Sequence, residues 1–167
     1  MAENETMSIG ITKIKDFAFT INESLYRGEK EPVSIDFENN ISLKKEENQL
    51  SLIFGVVYYY PDTPSNTVLL TAKIENVFLI ENLNKFVDAK GDITFPRQMW
   101  VTIVSLSVTH ARALIAKNCA GTVLQSTLLP IVNPVELTTN LFQAHALQNE
   151  AKQESSENFS LKNNIVE

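Results

Sequence analysis

One long stretch of this chain carries almost no charge. Residues 98–116 read Gln-Met-Trp-Val-Thr-Ile-Val-Ser-Leu-Ser-Val-Thr-His-Ala-Arg-Ala-Leu-Ile-Ala, and Arg112 is the only fixed charge among them. The stretch is longer than an ordinary strand, and Pro96 before it and Gly121 after it are typical of helix boundaries. Loose alternation and frequent β-branched residues over 99–108 leave a strand as the alternative. We predict a helix.

The predicted helix has two different faces at helical spacing. The apolar face comprises Trp100, Ile103, Val104, Val108, Ala111, Leu114 and Ile115. The opposite face is small and polar and comprises Gln98, Thr102, Ser105, Thr109 and Arg112. A helix that covers a sheet in a monomer normally shows water a charged face. We therefore expect the polar face to be an oligomer interface, with the helix held between a sheet and another subunit.

Composition excludes several classes of protein. The chain has 167 residues, enough for one domain with a core, and its net charge of −6 comes without a basic patch, which argues against nucleic-acid binding. Cys119 is the single cysteine, as expected of a reducing compartment. The acidic, polar N-terminus does not resemble a signal peptide, and the longest apolar run, 50–60, is too short to span a bilayer. We expect a soluble, cytoplasmic protein.

Four segments before the helix have the residue patterns of strands: three alternate between apolar and polar residues, and 50–60 is almost entirely apolar or aromatic, so both of its faces should be covered. They cover 7–21, with an irregularity expected near Ile14, and then 33–43, 50–60 and 67–80. Residues 22–32 form a polar crossover loop, 44–49 a charged turn and 61–66 a turn with two prolines. Residues 82–92 are predicted to be a polar connection to the long helix.

Strands followed by helices indicate an α+β fold. We predict a four-stranded antiparallel sheet with the long helix and a second, shorter helix packed on one face. The second helix follows an extended loop, 118–133, and begins after Pro134. The predicted organisation is a disordered N-terminus at 1–6, a domain at 7–149, and a flexible polar tail at 150–167, which is rich in Glu, Asn, Ser and Lys.

The residues give no catalytic constellation. His110 and His145 are far apart, no metal-ligand spacing occurs, and Cys119 follows a helix rather than preceding one, where a thiolate would be stabilised. Five glycines leave little room for a phosphate loop. We therefore predict a protein that is not an enzyme, without cofactor or metal. The aromatic residues remain, either as core packing or as the lining of an apolar groove.

Several short motifs resemble the SecB family of protein-export chaperones. Ile93-Thr94-Phe95-Pro96 is similar to the family's lead into its first helix, and Leu129-Pro130-Ile131-Val132-Asn133 to its lead into the second. Gly121-Thr122-Val123 falls at the break between the helices, Lys15-Asp16-Phe17-Ala18-Phe19 resembles part of the first strand, and Val77-Phe78-Leu79-Ile80 the end of the fourth. Their order and spacing cover roughly residues 7–148.

The resemblance implies a function and a set of sites. SecB-like proteins are tetramers built as dimers of dimers, with the first helix at the interface, and they bind unfolded clients in apolar grooves without nucleotide. The implied client-binding groove comprises Tyr26, Phe37, Tyr58, Tyr60, Leu137, Leu141 and Phe142. Asp16 and Leu69 match two positions of the surface that docks onto the motor SecA, whereas Thr20 and Thr71 stand where the family has carboxylates.

The sequence therefore predicts an ATP-independent holdase for unfolded polypeptides, in particular preproteins awaiting Sec-dependent export. Its expected partners are client proteins, SecA and further copies of the chain, as a dimer or tetramer. Neither nucleic acid nor membrane insertion is expected. One alternative is a SecB-like chaperone dedicated to a toxin-antitoxin pair. Another is an enzyme of the hot-dog class, in which a sheet wraps a long helix and a carboxylate or histidine faces a ligand pocket.

Overall fold

A computed structural model describes residues 8–142 of the chain. Four strands come first, β1 (Ile9–Ile21), β2 (Ser34–Lys44), β3 (Gln49–Tyr60) and β4 (Thr67–Ile80). The long helix α1 (Arg97–Cys119) follows, and residues 134–142 are helical and are called α2. The strands and α1 lie in one compact unit that ends at Ile131, and α2 belongs to a second unit that begins at Val132.

The four strands form one antiparallel sheet in the order β1-β4-β3-β2. Two tight connections join β2 to β3 and β3 to β4, and the first uses Asn48 in the left-handed conformation at φ 52°. The chain between β1 and β2 instead passes from one edge of the sheet to the other. These findings confirm the predicted α+β fold, the four strands and the crossover.

The alternation of side chains gives the sheet two different faces. On β3 the even-numbered residues from Leu50 to Tyr60 are all buried, and on β4 the same holds from Leu70 to Ile80. The odd-numbered positions of these strands carry Ser51, Thr71, Lys73 and Glu75, which are partly exposed. We call the first face the inner face, because α1 packs on it, and the second the outer face.

Three irregularities interrupt the ladders. In β1 the register with β4 shifts between Ile11 and Lys13 and again between Asp16 and Ala18, on either side of the expected irregularity near Ile14. In β4, Tyr58 pairs with Leu70 and Tyr59 with Val68, so Leu69 lies opposite no residue of β3. Such bulges bend a strand and redirect its side chains. Here the bulge lets two successive residues, Leu69 and Leu70, be buried together.

Helix α1 begins directly after Pro96 and ends just before Gly121, as the sequence predicted. Five of the seven predicted apolar positions are buried, whereas Trp100 and Leu114 are only partly covered. Met99, Ser107 and Cys119 are buried instead. The buried stripe is thus shifted slightly around the helix axis, towards Met99, Ser107 and Cys119.

By length and composition alone, α1 could cross a membrane, and it is the one such helix among residues 8–142. The expectation rested on the uninterrupted apolar run 50–60, which is shorter, whereas α1 is apolar on average over its 23 residues. In this structure α1 packs on β3 and β4, and eight of its residues are buried. A long apolar helix that packs on a sheet passes this test of length and composition as readily as one that spans a bilayer.

The segment between β4 and α1 also contributes to the core, which the prediction of a polar connection missed. Leu83 is fully buried in a short 3₁₀ turn, and Val87 pairs with Ile93 in an isolated bridge. Phe95 lies between Phe86 and Trp100, with ring centroids 5.5 and 4.9 Å away. These aromatic contacts fix the start of α1 against the sheet.

Candidate functional site

No group of three or more His, Cys, Asp or Glu residues that could hold a metal occurs among residues 8–142. Cys119 is buried, and burial raises the pKa of its thiol, which keeps it protonated and unreactive. Its position at the end of α1 gives it packing contacts and no approach for a substrate.

A polar contact is embedded between α1 and the sheet. Asn76 is completely buried on the inner face of β4, and its Oδ1 lies 2.6 Å from Nδ1 of His110, which donates the hydrogen bond. Burial lowers the pKa of His110, because a charged imidazole is poorly solvated there. Nearby in sequence, the hydroxyl of Ser107 donates to the carbonyl of Ile103 in its own helix. The hydrogen bond between His110 and Asn76 aligns α1 on the sheet.

Exposed apolar side chains form two groups in the first unit. The first lies on edge strand β1, where Ile11, Ile14 and Phe17 are 40, 45 and 51% exposed. Ile11 and Ile14 pair with Phe78 and Asn76, whose side chains are buried on the inner face. Ile11 and Ile14 therefore extend the inner face of the sheet beyond the part that α1 covers. We call Ile11, Ile14 and Phe17 the β1 strip.

The second group lies at the crossover and in the loop after α1. Leu25, Val123, Leu128 and Ile131 are 43, 43, 62 and 93% exposed, and we call them the loop patch. The two segments are joined, because the backbone N–H of Val123 donates to the carboxylate of Glu23 at 3.0 Å. The loop is also held from α1, where Arg112 donates to the carbonyls of Leu129 and Pro130 at 3.1 and 2.7 Å. Hydrogen bonds therefore hold the backbone of the segments that carry the loop patch.

The structure separates the predicted groove residues by exposure. Tyr26, Phe37 and Phe142 are partly exposed, and Phe37 packs on Phe54 with ring centroids 5.7 Å apart. Leu137 and Leu141 are buried, so their prediction as residues of an open groove is corrected. Tyr58 and Tyr60 are also buried, so their prediction as residues of an open groove is corrected. Both have even numbers in β3 and therefore point to the inner face, where periodicity alone cannot distinguish a covered position from an open one.

The two buried tyrosines differ in what covers them. Among residues 8–142 the hydroxyl of Tyr58 has no hydrogen-bond partner, and burial raises its pKa. The hydroxyl of Tyr60 accepts a hydrogen bond of 3.0 Å from the backbone N–H of Arg27. The guanidinium of Arg27 also lies over the Tyr60 ring, 4.5 Å from its centroid. Tyr60 is therefore covered by the crossover.

Asp62 completes this arrangement from the turn after β3. Its two carboxylate oxygens accept hydrogen bonds of 3.0 and 2.6 Å from Arg27, and Thr67 also donates to it. These contacts lower the pKa of Asp62, and the hydrogen bond from Arg27 is the largest cause. Arg27 also bonds Glu31 at 2.8 Å. Sequence reasoning missed this cluster, because Arg27 and Asp62 are 35 residues apart and neither belongs to a motif.

The predicted SecA-docking pair does not form one surface. Leu69 is fully buried at the β4 bulge, so it cannot contact a partner in this conformation, and its assignment is corrected. Asp16 is exposed, but it pairs with Ile74 on the inner face and accepts a hydrogen bond from Asn118 at the end of α1. The outer face carries mixed charges, including ion pairs between Lys13 and Glu75 and between Lys73 and Glu38.

The polar face of α1 is open in the single chain. Gln98 and Thr109 are exposed, and Thr102, Ser105 and Arg112 are partly exposed. The hydroxyls of Thr102 and Thr109 donate to carbonyls one turn earlier, both at 2.9 Å, so this face offers few free donors. Arg112 holds the following loop, which is a structural duty that the sequence did not reveal. Whether the face meets another subunit stays a prediction.

Comparison with known proteins adds no assignment. No protein-family model matches the chain, and no curated protein matches it as a relative.

Proposed function

We propose that this protein is an ATP-independent holdase, a SecB-like chaperone that binds unfolded polypeptides. The observation that carries the proposal is the amount of apolar side chain that the first unit leaves open, in the β1 strip and the loop patch. Scattered exposed apolar residues are ordinary, but grouped ones mark surfaces that bind other proteins. Extended apolar segments of an unfolded client match such surfaces and have no requirement for nucleotide.

The motifs that resemble the SecB family support this proposal. They lie before and after α1 and in β1 and β4. Helix α1 packs on the two central strands of an open sheet and is not wrapped by it. That arrangement favours a binding protein over the hot-dog enzyme that the sequence left as an alternative.

Self-association forms part of the proposal. The polar face of α1, on which Arg112 is the fixed charge, and the β1 strip are both open, and a second copy of the chain that covered the β1 strip would bury apolar area worth about 25 cal/mol per Å². We propose a homo-oligomer, a dimer or a tetramer, that works in the cytoplasm on preproteins for export. The loop patch, which lies on other segments, is then the surface left for clients.

An aggregation assay tests the proposal. A chemically unfolded test protein is diluted with the purified full chain, without nucleotide, and light scattering is followed. We expect the chain to suppress scattering, and Leu25→Ser with Val123→Ser to weaken suppression at least about tenfold, since each fully buried Leu or Val contact contributes about 1.5 to 3 kcal/mol.

The matched control changes two exposed apolar residues of β4 that belong to neither group. Val68→Ser with Leu79→Ser removes a similar amount of exposed apolar surface, 36 and 45% of the two residues. This variant should suppress aggregation like the wild type. If the wild-type chain does not suppress scattering, or if both double variants lose suppression equally, the assignment to the loop patch is wrong.

A further inference from the structure

The crossover segment, residues 22–33, lies on the surface and is held by few contacts. None of its side chains is buried. Its start is fixed to β4, because the backbone N–H of Asn22 donates to the carbonyl of Leu69 at 2.8 Å and its side chain to that of Val68 at 3.2 Å. Beyond Glu23, the polar contacts that tie the segment to β3 and the following turn come from Arg27.

Arg27 joins the segment to the end of β3 in three ways at once. Its backbone bonds the Tyr60 hydroxyl, its guanidinium lies over the Tyr60 ring, and its two terminal nitrogens bond both oxygens of Asp62. The guanidinium and a carboxylate match each other in such a two-point contact. Asp62 is itself fixed by its backbone N–H, which donates to the Tyr60 carbonyl at 2.9 Å. We call the Arg27–Asp62 pair the clasp.

The clasp lies over an aromatic side chain at the end of a strand. Tyr60 is the last residue of β3, and strand ends are normally accessible, yet only 1% of Tyr60 is exposed. No other residue caps its ring in the way the Arg27 guanidinium does, as far as residues 8–142 show. Displacing the crossover segment would remove both the cap and the hydrogen bond to the hydroxyl.

The clasp is an ion pair that is partly exposed to solvent. Both side chains are about one-third exposed, at 38 and 32%, and exposed ion pairs contribute little in water and less at high salt. The second contact point and the neighbouring Glu31 and Thr67 add to it. A segment without buried side chains has no other large barrier to local opening.

We infer that the crossover segment is a strap that the clasp keeps shut over Tyr60, and that opening of the clasp exposes Tyr60 as an additional apolar binding site. The use of that site for client polypeptides rests on the proposed function; the opening itself does not. The predicted groove residue Tyr60 is then covered in the closed state described here and available in the open one. The open state is favoured by weaker pairing of Arg27 with Asp62.

Hydrogen exchange on the full-length chain tests the opening directly. Asp62→Asn keeps the shape of the side chain and removes its charge, and it should raise the exchange rates of the amides of residues 24–31 about 5- to 30-fold. Amides in the middle of α1 should keep their wild-type rates. Glu31→Gln is the matched control, because it removes only the second, one-point partner of Arg27, and it should change exchange much less.

Salt provides a second measurement that needs no variant. Raising ionic strength from about 0.02 to 0.5 M shortens the screening length several-fold and should speed exchange at residues 24–31 in the wild type. The Asp62→Asn protein should show no such salt response at these amides. Wild-type exchange that does not respond to salt, or equal rates in Asp62→Asn and wild type, would overturn the strap. If Asp62→Asn does not fold, the wild-type salt response decides alone.

The aggregation assay then separates the strap from the proposed function. If both hold, Asp62→Asn suppresses aggregation better than wild type, and adding Tyr60→Ser abolishes the gain. Faster exchange in a chain that never suppresses aggregation would support the strap and contradict the holdase. Normal suppression without faster exchange would support the holdase and contradict the strap.

Discussion

At the scale of single residues, the most consequential contact joins Asn76 and His110. A buried amide beneath a helix is destabilising unless it is hydrogen-bonded, and His110 supplies the bond. The Tyr58 hydroxyl, on the same face of the sheet, has no such partner among residues 8–142. One satisfied and one unsatisfied polar group thus lie in the same inner-face layer. The satisfied one fixes the position of α1 along β4, since only one helix register brings the imidazole to the amide.

This contact predicts a pH dependence of stability. The pKa of His110 is lower in the folded chain than the ordinary value of about 6.5, because burial disfavours the charged ring. Below that value the unfolded chain binds more protons, so the free energy of unfolding should fall as pH falls from 6.5 through the folded-state pKa. His110→Gln keeps a donor for Asn76 and does not titrate.

Urea unfolding at pH 7.5, 6.5, 5.5 and 5.0 measures this effect. The stability of the wild type should decrease more on acidification than that of His110→Gln, and the difference between the two should grow below pH 6.5. Both proteins keep His145, so its contribution cancels. Parallel pH profiles for the two proteins would contradict the burial of His110.

At the scale of elements, the bulge in β4 decides which residues of that strand are accessible. In a regular strand, Val68, Leu69 and Leu70 would point alternately to the two faces. The bulge places Leu69 in the core beside Leu70, while Val68 stays on the surface, 36% exposed. In β1, by contrast, the two register shifts lie beside apolar residues that are exposed, Ile11 and Phe17.

The bulge predicts very different effects for two neighbouring substitutions. Leu69→Ala should lower the free energy of unfolding by about 2 to 5 kcal/mol, since it leaves a cavity in the core. Val68→Ala should lower it by less than about 1 kcal/mol, as is usual for surface substitutions. Denaturant unfolding with both variants at one protein concentration is the measurement. Equal losses would mean that β4 has no bulge at this position.

The sequence predicts elements here better than it predicts exposure. Apolar patterning and turn residues placed the four strands and the crossover, because both are local properties of the chain. Apolar residues of one parity recur in both β1 and β3, yet Ile11 is 40% exposed and Leu52 only 1%. What differs is whether another element lies on top, and that depends on tertiary packing. For the same reason the sequence does not reveal that Tyr58, Tyr60 and Leu69 are buried.

At the scale of the whole molecule, two surfaces of the single chain are open. The polar face of α1 bears no acidic residue, and the β1 strip bears three open apolar side chains. A monomer would leave both in water. The predicted interface residues are accessible in the single chain, as an interface requires, and Arg112 is partly engaged with the loop after α1.

Charges on the polar face of α1 should weaken assembly. Thr102→Glu with Ser105→Glu would bury unpaired carboxylates in the predicted interface, at a cost of several kcal/mol per buried ion. Light scattering should then report a smaller mass than for the wild type. Asn40→Glu with Ser42→Glu adds the same charge to exposed positions of β2 on the outer face and should leave the mass unchanged. An oligomeric wild type whose mass is the same in both variants would exclude this interface.

The crossing of the chain from one sheet edge to the other has a consequence for synthesis. Strand β1 is made before the others but pairs only with β4, and its nearest partner, Leu70 opposite Ile21, lies about 50 residues further on. At 5 to 20 residues per second, a ribosome needs about 3 to 10 s to make that interval. During that time β1 is an unpaired strand with open apolar side chains, whereas β2 and β3 can already form their hairpin. The chain itself therefore passes through a state that needs protection from aggregation, and its folding rate should be limited by the closure of β1 onto β4.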